Sequence, residues 1–338
     1  MAQIGDNPLH CEECGASLQN ATSTLGCLNC LLLGGPNEPG PESRRLQDYE
    51  ICYREDGVTL DELGRGAMGI TYRAQDLTLG SLVALKVISD RYSGDPRSRE
   101  RFRREARAAA QLRHPNVASV FRFGETHAGR CFYAMELIEG ETVEAYVRRN
   151  RVLPPVLALE VGVQVARALI AAEAHELVHR DLKPSNFMIV RNDSGDPDTF
   201  VVKVIDFGLA KSVAITPTGD NQSHVGFSGT PDFASPEQLR AGQALLDTRS
   251  DIYSLGATLW YLLCGRAPFR GRSAGEAQNE PLPLEQLVLA HVPEPVVTLL
   301  RSMLAVEPGG RPSSAHELLA ALQRCRQIIA NPSFSFTG

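Results

Sequence analysis

The chain has 338 residues, a formal net charge of −6 and 43% hydrophobic residues. A chain of this length normally divides into more than one compact unit, and its composition is that of a folded globular protein. The acidic balance argues against nucleic acid or an anionic membrane as the main partner. Because the chain has no uninterrupted apolar run of about 18 residues and no N-terminal secretion signal, we expect a cytoplasmic protein without a membrane segment.

Four of the eight cysteines lie close together near the N-terminus. They form two CxxC pairs, Cys11 with Cys14 and Cys27 with Cys30, separated by twelve residues. Four thiolates suit a tetrahedral Zn²⁺ ion, and so small a unit would depend on the metal for folding. Two disulfides or a redox CxxC are the alternatives, which an intracellular setting disfavours. We therefore predict that residues 1–33 form a unit that resembles a zinc ribbon, a family whose members bind nucleic acids or proteins.

A linker is predicted after this unit. Three prolines and three glycines fall between positions 34 and 42, so we assign residues 34–45 to a connecting segment. No Lys or Arg lies between Cys11 and Cys30, so the zinc unit is expected to contact a protein rather than nucleic acid. The remaining cysteines are expected to be small buried hydrophobes: Cys52, Cys131, Cys264 and Cys325.

A glycine-rich stretch, GRGAMG, places Gly64, Gly66 and Gly69 in a GxGxxG pattern. Dinucleotide-binding folds use the same pattern for a turn into a helix. Here the next residues are ITYRA, whose β-branched and aromatic side chains favour a strand. The glycines are therefore predicted to close a β-hairpin, whose backbone amides could cover the phosphates of a nucleotide.

A lysine, Lys86, stands in the middle of the apolar strand-like run SLVALKVIS. The helical pattern RSRERFRREARAAAQL follows, with Glu105 on the face that it shares with Phe102 and Ala109. Taken separately, Lys86 is explained as a snorkelling residue and Glu105 as a solvated charge. Together with the glycine loop they favour an ion pair, with the phosphates of ATP as the second anion for Lys86.

Five motifs, GRGAMG, VALK, HRDLKPSN, DFG and SPE, occur in the order of the eukaryotic-type protein kinases. The chain is similar to the bacterial serine/threonine branch of that family in RFRREA, RHPNV, GTPDFASPEQ and SDIYSLG. The resemblance covers residues 46–328 and implies an α+β, bilobal protein kinase fold behind the zinc-ribbon-like unit. It divides the chain into a small β-rich N-lobe (46–135), a hinge (136–140), a larger α-helical C-lobe (141–328) and a tail (329–338).

The resemblance also implies roles for the stretch HRDLKPSN, whose charges would cost several kcal/mol if buried without partners. Asp181 would accept or orient the proton of the substrate hydroxyl, and Lys183 would neutralise charge on the transferred phosphoryl group. Asn186 and Asp206 would hold Mg²⁺ or Mn²⁺, with Asp206 as the main ligand. His179 is better explained as a structural histidine linked to the DFG segment.

The same resemblance implies an adenine pocket. By position Met135 is the gatekeeper, and the backbone of Glu136 and Ile138 would hydrogen-bond the base. The remaining pocket residues would be Leu63, Thr71 and Ala84, of which Thr71 replaces the valine of most relatives.

The stretch 211–229, between DFG and GTP, is polar and rich in hydroxyl groups. We predict autophosphorylation there, at Thr218 or Ser223, with Arg180 binding the phosphate. An ordinary loop without regulatory phosphate is the alternative. The resemblance places Thr230 beside the acceptor residue and, with Lys183, favours serine or threonine over tyrosine as the substrate. It also implies two structural interactions: a buried ion pair of Glu237 with Arg311, and backbone amides of the catalytic loop bound by Asp251.

Three departures from the family pattern concern connections and one motif residue. The connection from Asn186 to Asp206 is long, which predicts an enlarged hairpin turn around Gly195. Ser235 replaces the first residue of APE, and residues 271–284 are short and polar where relatives have a helix. None of these departures removes a predicted catalytic group.

The leading hypothesis is an active, ATP-dependent protein kinase that transfers the γ-phosphoryl group to serine or threonine hydroxyls of protein substrates. The alternative is a pseudokinase scaffold that binds nucleotide and uses the zinc unit to bind a partner. The chain retains every residue that a scaffold could lose, which favours the enzyme: Lys86, Glu105, Asp181, Asn186 and Asp206. A kinase homodimer is left open.

Overall fold

The computed structural model describes residues 44–66, 68–89, 96–126, 130–191, 199–207, 231–239, 246–269 and 282–331. Contacts divide these residues into two compact units. The sheet unit contains residues 44–107 and 120–137, and the helical unit contains residues 108–119 and the described residues from 138 onward. The predicted zinc unit lies outside the described residues, as do the linker residues before 44 and the predicted loop sites Thr218, Ser223 and Thr230.

The sheet unit contains a seven-stranded antiparallel sheet with the order β1-β2-β4-β5-β7-β6, in which β3 also pairs with β4. The helix α1, Pro96–Gln111, lies between β5 and β6 in the chain. The strands are β1 Arg45–Leu46, β2 Tyr49–Ile51, β3 Glu62–Gly66, β4 Gly69–Asp76, β5 Leu82–Ile88, β6 Val120–Glu125 and β7 Cys131–Glu136.

The glycine-rich stretch forms the predicted β-hairpin. Strands β3 and β4 pair antiparallel, with Gly66 opposite Gly69. Gly69 has φ +150°, and a Cβ atom at this position would lie 2.0 Å from the carbonyl oxygen of Val87 on β5. A side chain would therefore push β4 away from β5. The alternative of a dinucleotide-binding turn into a helix is excluded because a strand begins at Gly69.

Strand alternation gives the sheet two different faces. Alternate residues of β4, β5 and β7 pack into one apolar cluster with Tyr49 and Ile51 of β2. The members of this cluster on the three strands are Ile70, Tyr72, Ala74, Val83, Leu85, Val87, Phe132 and Ala134. The opposite face of these strands is therefore available for other residues, which include several predicted to bind the nucleotide.

The helical unit contains the other seven α-helices of the described residues, and most of their length lies in the C-terminal half of the chain. They are α2 Val143–Asn150, α3 Pro155–Glu173, α4 Pro236–Leu239, α5 Thr248–Cys264, α6 Glu285–Leu289, α7 Glu294–Met303 and α8 Ala315–Ala330. Several begin at side chains that bind a free backbone N–H: Thr142 caps α2, Asp247 caps α5 and Ser314 caps α8. Gly265, with φ +70°, ends α5.

Helix α3 forms the centre of the core of the helical unit. It packs against α5 and α8, and a Cβ atom at Gly162 would lie 3.0 Å from Leu322 and 3.2 Å from Leu259. Among the described residues, α3 is the one helix long and apolar enough to cross a membrane by length and composition. Its buried apolar side chains belong to this core, which accounts for its apolar character.

A three-stranded sheet, in the order β10-β9-β8, completes the helical unit. Its strands are β8 Glu141–Thr142, β9 Phe187–Arg191 and β10 Phe200–Val204. Arg191 pairs with Phe200 in the antiparallel β9–β10 ladder, so the long connection after Asn186 joins two antiparallel strands, as predicted. The turn itself, residues 192–198, lies outside the described residues.

Candidate active site

Four residues implied for nucleotide binding share one face of the sheet. Thr71 lies opposite Lys86, and Ala84 lies opposite Met135. Residues directly opposite each other in antiparallel strands project to the same side, and so do residues two apart, such as Ala84 and Lys86. Strand pairing therefore brings the side chains of three strands together on the face opposite the apolar cluster.

The β3–β4 hairpin contributes the glycine loop to the sheet unit. Gly64 lies opposite Thr71, which continues the same row, and Leu63 is 42% exposed. Glu136 ends β7 and is half-buried. Ile138, also half-buried, belongs to the helical unit, and the hydrogen bonds predicted for the base remain predictions.

Lys86 and Glu105 both lie in the sheet unit. Lys86 occupies the middle of β5, and Glu105 lies on α1 one turn before the buried Ala109. Both are half-buried, and each interacts with other groups. The strand and the helix confirm the predicted elements, and the ion pair between the two residues remains a prediction.

The stretch HRDLKPSN, residues 179–186, is the predicted catalytic loop, and it forms a polar cluster within the helical unit. The Nζ atom of Lys183 lies 3.0 Å from Oδ2 of Asp181, and their side chains are 23% and 14% exposed. The Nδ2 atom of Asn186 donates to the carbonyl oxygen of Asp181 at 2.8 Å and to its carboxylate at 3.3 Å. The three residues therefore restrain one another around one carboxylate.

His179 joins this loop to the segment that follows β10. Its Nδ1 accepts from the backbone N–H of Asp181 at 3.2 Å, and its Nε2 lies 3.1 Å from the carbonyl oxygen of Ile205. A ring nitrogen that accepts requires the other to carry the proton, so the neutral Nε2–H tautomer satisfies both bonds. The ring is fully buried and lies 4.7 Å from the ring of Phe207. This is the structural link predicted for His179.

A buried carboxylate holds the backbone of the loop. The Asp251 oxygens accept from the backbone N–H groups of His179 and Arg180, both at 2.7 Å. Gln238 donates to the carbonyl oxygen of Arg180 at 2.8 Å. Arg180 and Asp206 both have left-handed φ angles, 65° and 58°, which are costly for non-glycine residues and are often found at functional sites.

The family profile described as "Protein kinase domain" matches residues 58–322. The chain belongs to the protein kinase family. Its fold is accordingly the protein kinase fold, with the sheet unit as the β-rich N-lobe and the helical unit as the helical C-lobe.

Named bacterial relatives match this chain over most of its length. It is 38% identical over 268 residues to serine/threonine-protein kinase pkn3 of Myxococcus xanthus, which covers 77% of this chain and 48% of that protein. It is 37% identical over 281 residues to PknL of Mycobacterium tuberculosis, covering 81% and 66%. It is 34% identical over 265 residues to PrkC of Bacillus subtilis, covering 77% and 39%. The chain thus spans between 39% and 66% of the length of these relatives.

A solved structure matches at the level of the fold. The kinase domain of Mycobacterium tuberculosis PknI has a TM-score of 0.63 and 27% sequence identity, over 83% of this chain and 97% of that one.

The two residues implied for magnesium binding, Asn186 and Asp206, lie on segments that are linked by a backbone hydrogen bond. The N–H of Ile205, next to Asp206, donates to the carbonyl oxygen of Asn186 at 2.9 Å. Because Nδ2 of Asn186 donates to Asp181, its side-chain oxygen is the atom able to bind a cation. A carboxylate and an amide oxygen are hard ligands of the kind that Mg²⁺ accepts beside phosphate oxygens. These residues therefore fit a nucleotide-bound magnesium ion.

No cluster for a protein-ligated metal is found within the described ranges, where no group of three or more His, Cys, Asp or Glu residues could hold an ion. The zinc-ligating cysteines predicted from the sequence lie outside these ranges. The four cysteines that are described are free thiols. Burial raises the pKa of Cys264 and of Cys325 to about 11, in keeping with their predicted role as small hydrophobes.

The predicted ion pair of Glu237 and Arg311 is present. It is bidentate, with N–O distances of 2.7 and 2.9 Å, and the Arg311 side chain is fully buried. Burial by itself raises the pKa of Glu237, but hydrogen bonds from Arg311 and Ser250 more than offset it and lower the pKa to about 2. The pair joins helix α4 to the segment between α7 and α8.

Two buried amides near β10 were not predicted as site residues. Asn116 belongs to the RHPNV motif, and Gln164 lies among the apolar residues of α3; each is 6% exposed. For Gln164 the sequence did offer a signal, a polar residue on the apolar face of a helix, because a buried amide must find hydrogen-bond partners.

Proposed function

We propose that this protein is an ATP-dependent protein kinase that transfers the γ-phosphoryl group to serine or threonine hydroxyls of proteins. The observation that carries the proposal is the geometry of the catalytic loop, in which the Asp181 carboxylate interacts with Lys183 and Asn186. The named relatives are serine/threonine-protein kinases, which supports the choice of acceptor.

The residues of the catalytic loop have distinct proposed tasks. Asp181 accepts or orients the proton of the attacking hydroxyl, and Lys183, 3.0 Å from it, stabilises negative charge on the transferred group. Bound magnesium neutralises charge on the phosphate oxygens. Asn186 and Asp206 are the proposed ligands for it, and the bond from Ile205 to Asn186 keeps the two segments together.

The nucleotide is proposed to use residues of the sheet unit and the hinge. Lys86, supported by Glu105, binds its phosphates, and the glycine hairpin covers them. Thr71, Ala84 and Met135 share the face of Lys86, which supports their assignment to the adenine pocket. The other proposed contacts are Leu63 and the backbones of Glu136 and Ile138.

The transfer reaction tests this function directly. Purified protein incubated with radiolabelled ATP and Mg²⁺ should label a protein substrate on serine or threonine. The Asp181→Asn variant should still bind ATP, but its rate of transfer should fall about 10²- to 10⁴-fold, because an amide cannot take up the proton as the carboxylate does. Asp247→Asn, which keeps a good helix cap for α5, is the matched control and should retain full activity. Transfer by Asp181→Asn at the rate of the unchanged protein would refute the assignment.

The proposal also includes regulation by phosphorylation within residues 211–229, which lie outside the described residues. We infer autophosphorylation at Thr218 or Ser223 with Arg180 as the phosphate-binding group, and Thr230 as a residue beside the acceptor. Phosphosite mapping of the same reaction should find phosphate within residues 211–229, and its absence would contradict this part. A pseudokinase scaffold has no observation in its favour, since every predicted catalytic group is retained.

The N-terminal segment is proposed to be a separate zinc-ribbon-like unit over residues 1–33 that binds a protein partner, joined by the linker 34–45 to the kinase domain 46–328. The support for it is the spacing of the four cysteines and the absence of Lys and Arg between Cys11 and Cys30. A binding assay with the segment 1–40 in the presence of zinc, compared with the full chain, tests the partner class.

A further inference from the structure

The two edges of β10 are paired in different ways. One edge joins β9 in a regular antiparallel ladder, and in such a ladder the backbone groups of alternate residues point away from the partner strand. The residues whose N–H and C=O groups bond on the other edge are Phe200, Val202 and Val204. No second strand of the described residues pairs along this edge. Its hydrogen bonds come from α3 and from residues 116–118.

Gln164 takes the place of a neighbouring strand for the first half of this edge. Its Oε1 accepts from the N–H of Val202 at 2.7 Å, and its Nε2 donates to the carbonyl oxygen of Phe200 at 3.1 Å. The same Oε1 accepts from Nδ2 of Asn116 at 2.9 Å, and the same Nε2 donates to Glu160 at 3.0 Å. Two bonds to the oxygen and two from the nitrogen use the full capacity of the amide.

These bonds determine the orientation of the amide. Exchanging O and N of Gln164 would set its NH₂ group against two donors, the Val202 N–H and the Asn116 amide. Glu160 also forms an ion pair with Arg326 of α8, so the acceptor for Nε2 is itself held in place. With 6% of Gln164 exposed, each lost bond would leave a buried polar group without a partner.

Asn116 and its neighbours complete the edge. The Nδ2 atom of Asn116 donates to the carbonyl oxygen of Val202 at 2.8 Å, and its backbone oxygen accepts from Val204 at 2.9 Å. The N–H of Ala118 donates to the carbonyl oxygen of Val204 at 2.9 Å. Every one of these bonds lies within the helical unit.

The strand ends two residues before Asp206. We propose that Gln164, with Asn116, sets the register of β10 and so positions Asp206 for magnesium binding. The intervening Ile205 is bound at both backbone groups, its N–H to Asn186 and its C=O to His179, so the edge bonds of β10 and the bonds of Ile205 form one continuous set that leads to Asp206. Gln164 is a positioning residue, which touches neither metal nor substrate, and the inference rests on the proposed role of Asp206.

Backbone hydrogen exchange tests the positioning step without any activity. Gln164→Met keeps the length of the side chain and removes all of its hydrogen bonds. We expect faster exchange at the amides of both Val202 and Ile205, because the loss of the edge bonds loosens the segment as far as Asp206. Gln286→Met is the matched control, since Gln286 accepts from Trp260 at 3.2 Å in another part of the helical unit. It should leave both amides unchanged.

Metal affinity is the second measurement. Binding of Mn²⁺ in the presence of ADP, measured by electron paramagnetic resonance, should weaken about 10- to 100-fold in Gln164→Met, the usual effect of removing a group that orients a metal ligand. The Mg²⁺ concentration for half-maximal transfer should rise in parallel, and excess Mg²⁺ should restore most of kcat. Asn116→Ala should act in the same direction, and it replaces Gln164→Met if that variant does not fold.

The outcomes separate this inference from the proposed function. If Val202 exchanges faster but Ile205 and the affinity for Mn²⁺ are unchanged, Gln164 is merely structural and the inference is wrong. If the unchanged protein transfers no phosphoryl group while Gln164→Met still weakens Mn²⁺ binding, the kinase proposal fails and the positioning role stands.

Discussion

Arg311 uses every hydrogen-bonding group of its side chain inside the helical unit. Three of its N–H groups donate to the carbonyl oxygens of Ala305, Val306 and Arg249, and the other two donate to Glu237. Its guanidinium also lies 4.9 Å from the ring centroid of Tyr253. A lysine could not form this set, because it lacks the planar fork and two of the donors.

Replacement of Arg311 should therefore destabilise the fold. Arg311→Ala removes two of the hydrogen bonds to the Glu237 carboxylate and the arginine donors of three carbonyl groups. We expect the free energy of unfolding to fall by about 3–5 kcal/mol. Arg148→Ala is the control, because Arg148 pairs with Glu144 at 3.5 Å on the surface, where the loss should be about 0.5 kcal/mol. Urea denaturation measures both, and equal losses would contradict the importance given to burial.

The pair of Glu237 and Arg311 also makes the stability of the fold depend on pH in the acid range. The pKa of Glu237 is about 2 in the folded protein and 4.5 ordinarily. A lowered pKa stabilises the fold fully above pH 4.5, and this contribution disappears as the pH falls towards 2. It amounts to about 3 kcal/mol for this group. The Glu237→Gln variant should be less stable than the unchanged protein at neutral pH and should lose less stability between pH 4.5 and 2. If the free energies of unfolding of the two proteins fall in parallel with pH, Glu237 is not the origin of the acid sensitivity.

At the scale of elements, strand pairing and side-chain amides assemble the candidate site. The β3–β4 hairpin depends on the close approach of β5 to Gly69, whereas a Cβ atom at Gly64 or Gly66 would meet no atom within 4 Å. The packing of β4 on β5 therefore requires glycine at position 69, whereas positions 64 and 66 have room for a side chain. In the helical unit, β10 depends on α3 for part of its hydrogen bonding, so the strand before Asp206 is positioned by a helix as well as by β9.

This difference between the glycines can be measured. Gly69→Ala places a methyl group against the backbone of β5 at an unfavourable φ, and we expect a loss of about 1–3 kcal/mol. Gly64→Ala should change stability by no more than about 0.5 kcal/mol. Thermal denaturation of the two variants without nucleotide gives the comparison, and a Gly69→Ala protein as stable as Gly64→Ala would contradict the contact with Val87.

At the scale of the whole molecule, the two units have separate apolar cores. The core of the sheet unit consists of alternate strand residues, and that of the helical unit is built around α3, α5 and α8. The proposed zinc unit would be a third compact part, with metal binding in place of an apolar core.

The metal content of the protein tests the proposed zinc unit. Elemental analysis of the full chain should find about one zinc ion per molecule, since four thiolates complete one tetrahedral site. Cys14→Ser should reduce the zinc content, and Cys52→Ser, which changes a half-buried free thiol of the sheet unit, should not. A protein without zinc, whose N-terminal thiols all react freely, would remove the zinc proposal.

The sequence by itself determined the order of the motifs, the glycine hairpin, the strand that carries Lys86 and the pairing of Glu237 with Arg311. The glycine hairpin and the Lys86 strand can be read locally, because periodicity and turn chemistry act between near neighbours. The pairing of Glu237 with Arg311 came from the resemblance to protein kinases. Only the tertiary structure decided the tautomer of His179, the shared face of Thr71 and Lys86, and the use of Gln164 as an edge for β10. These depend on which groups meet across long stretches of chain, and a buried amide in a sequence says that it needs partners without saying which ones.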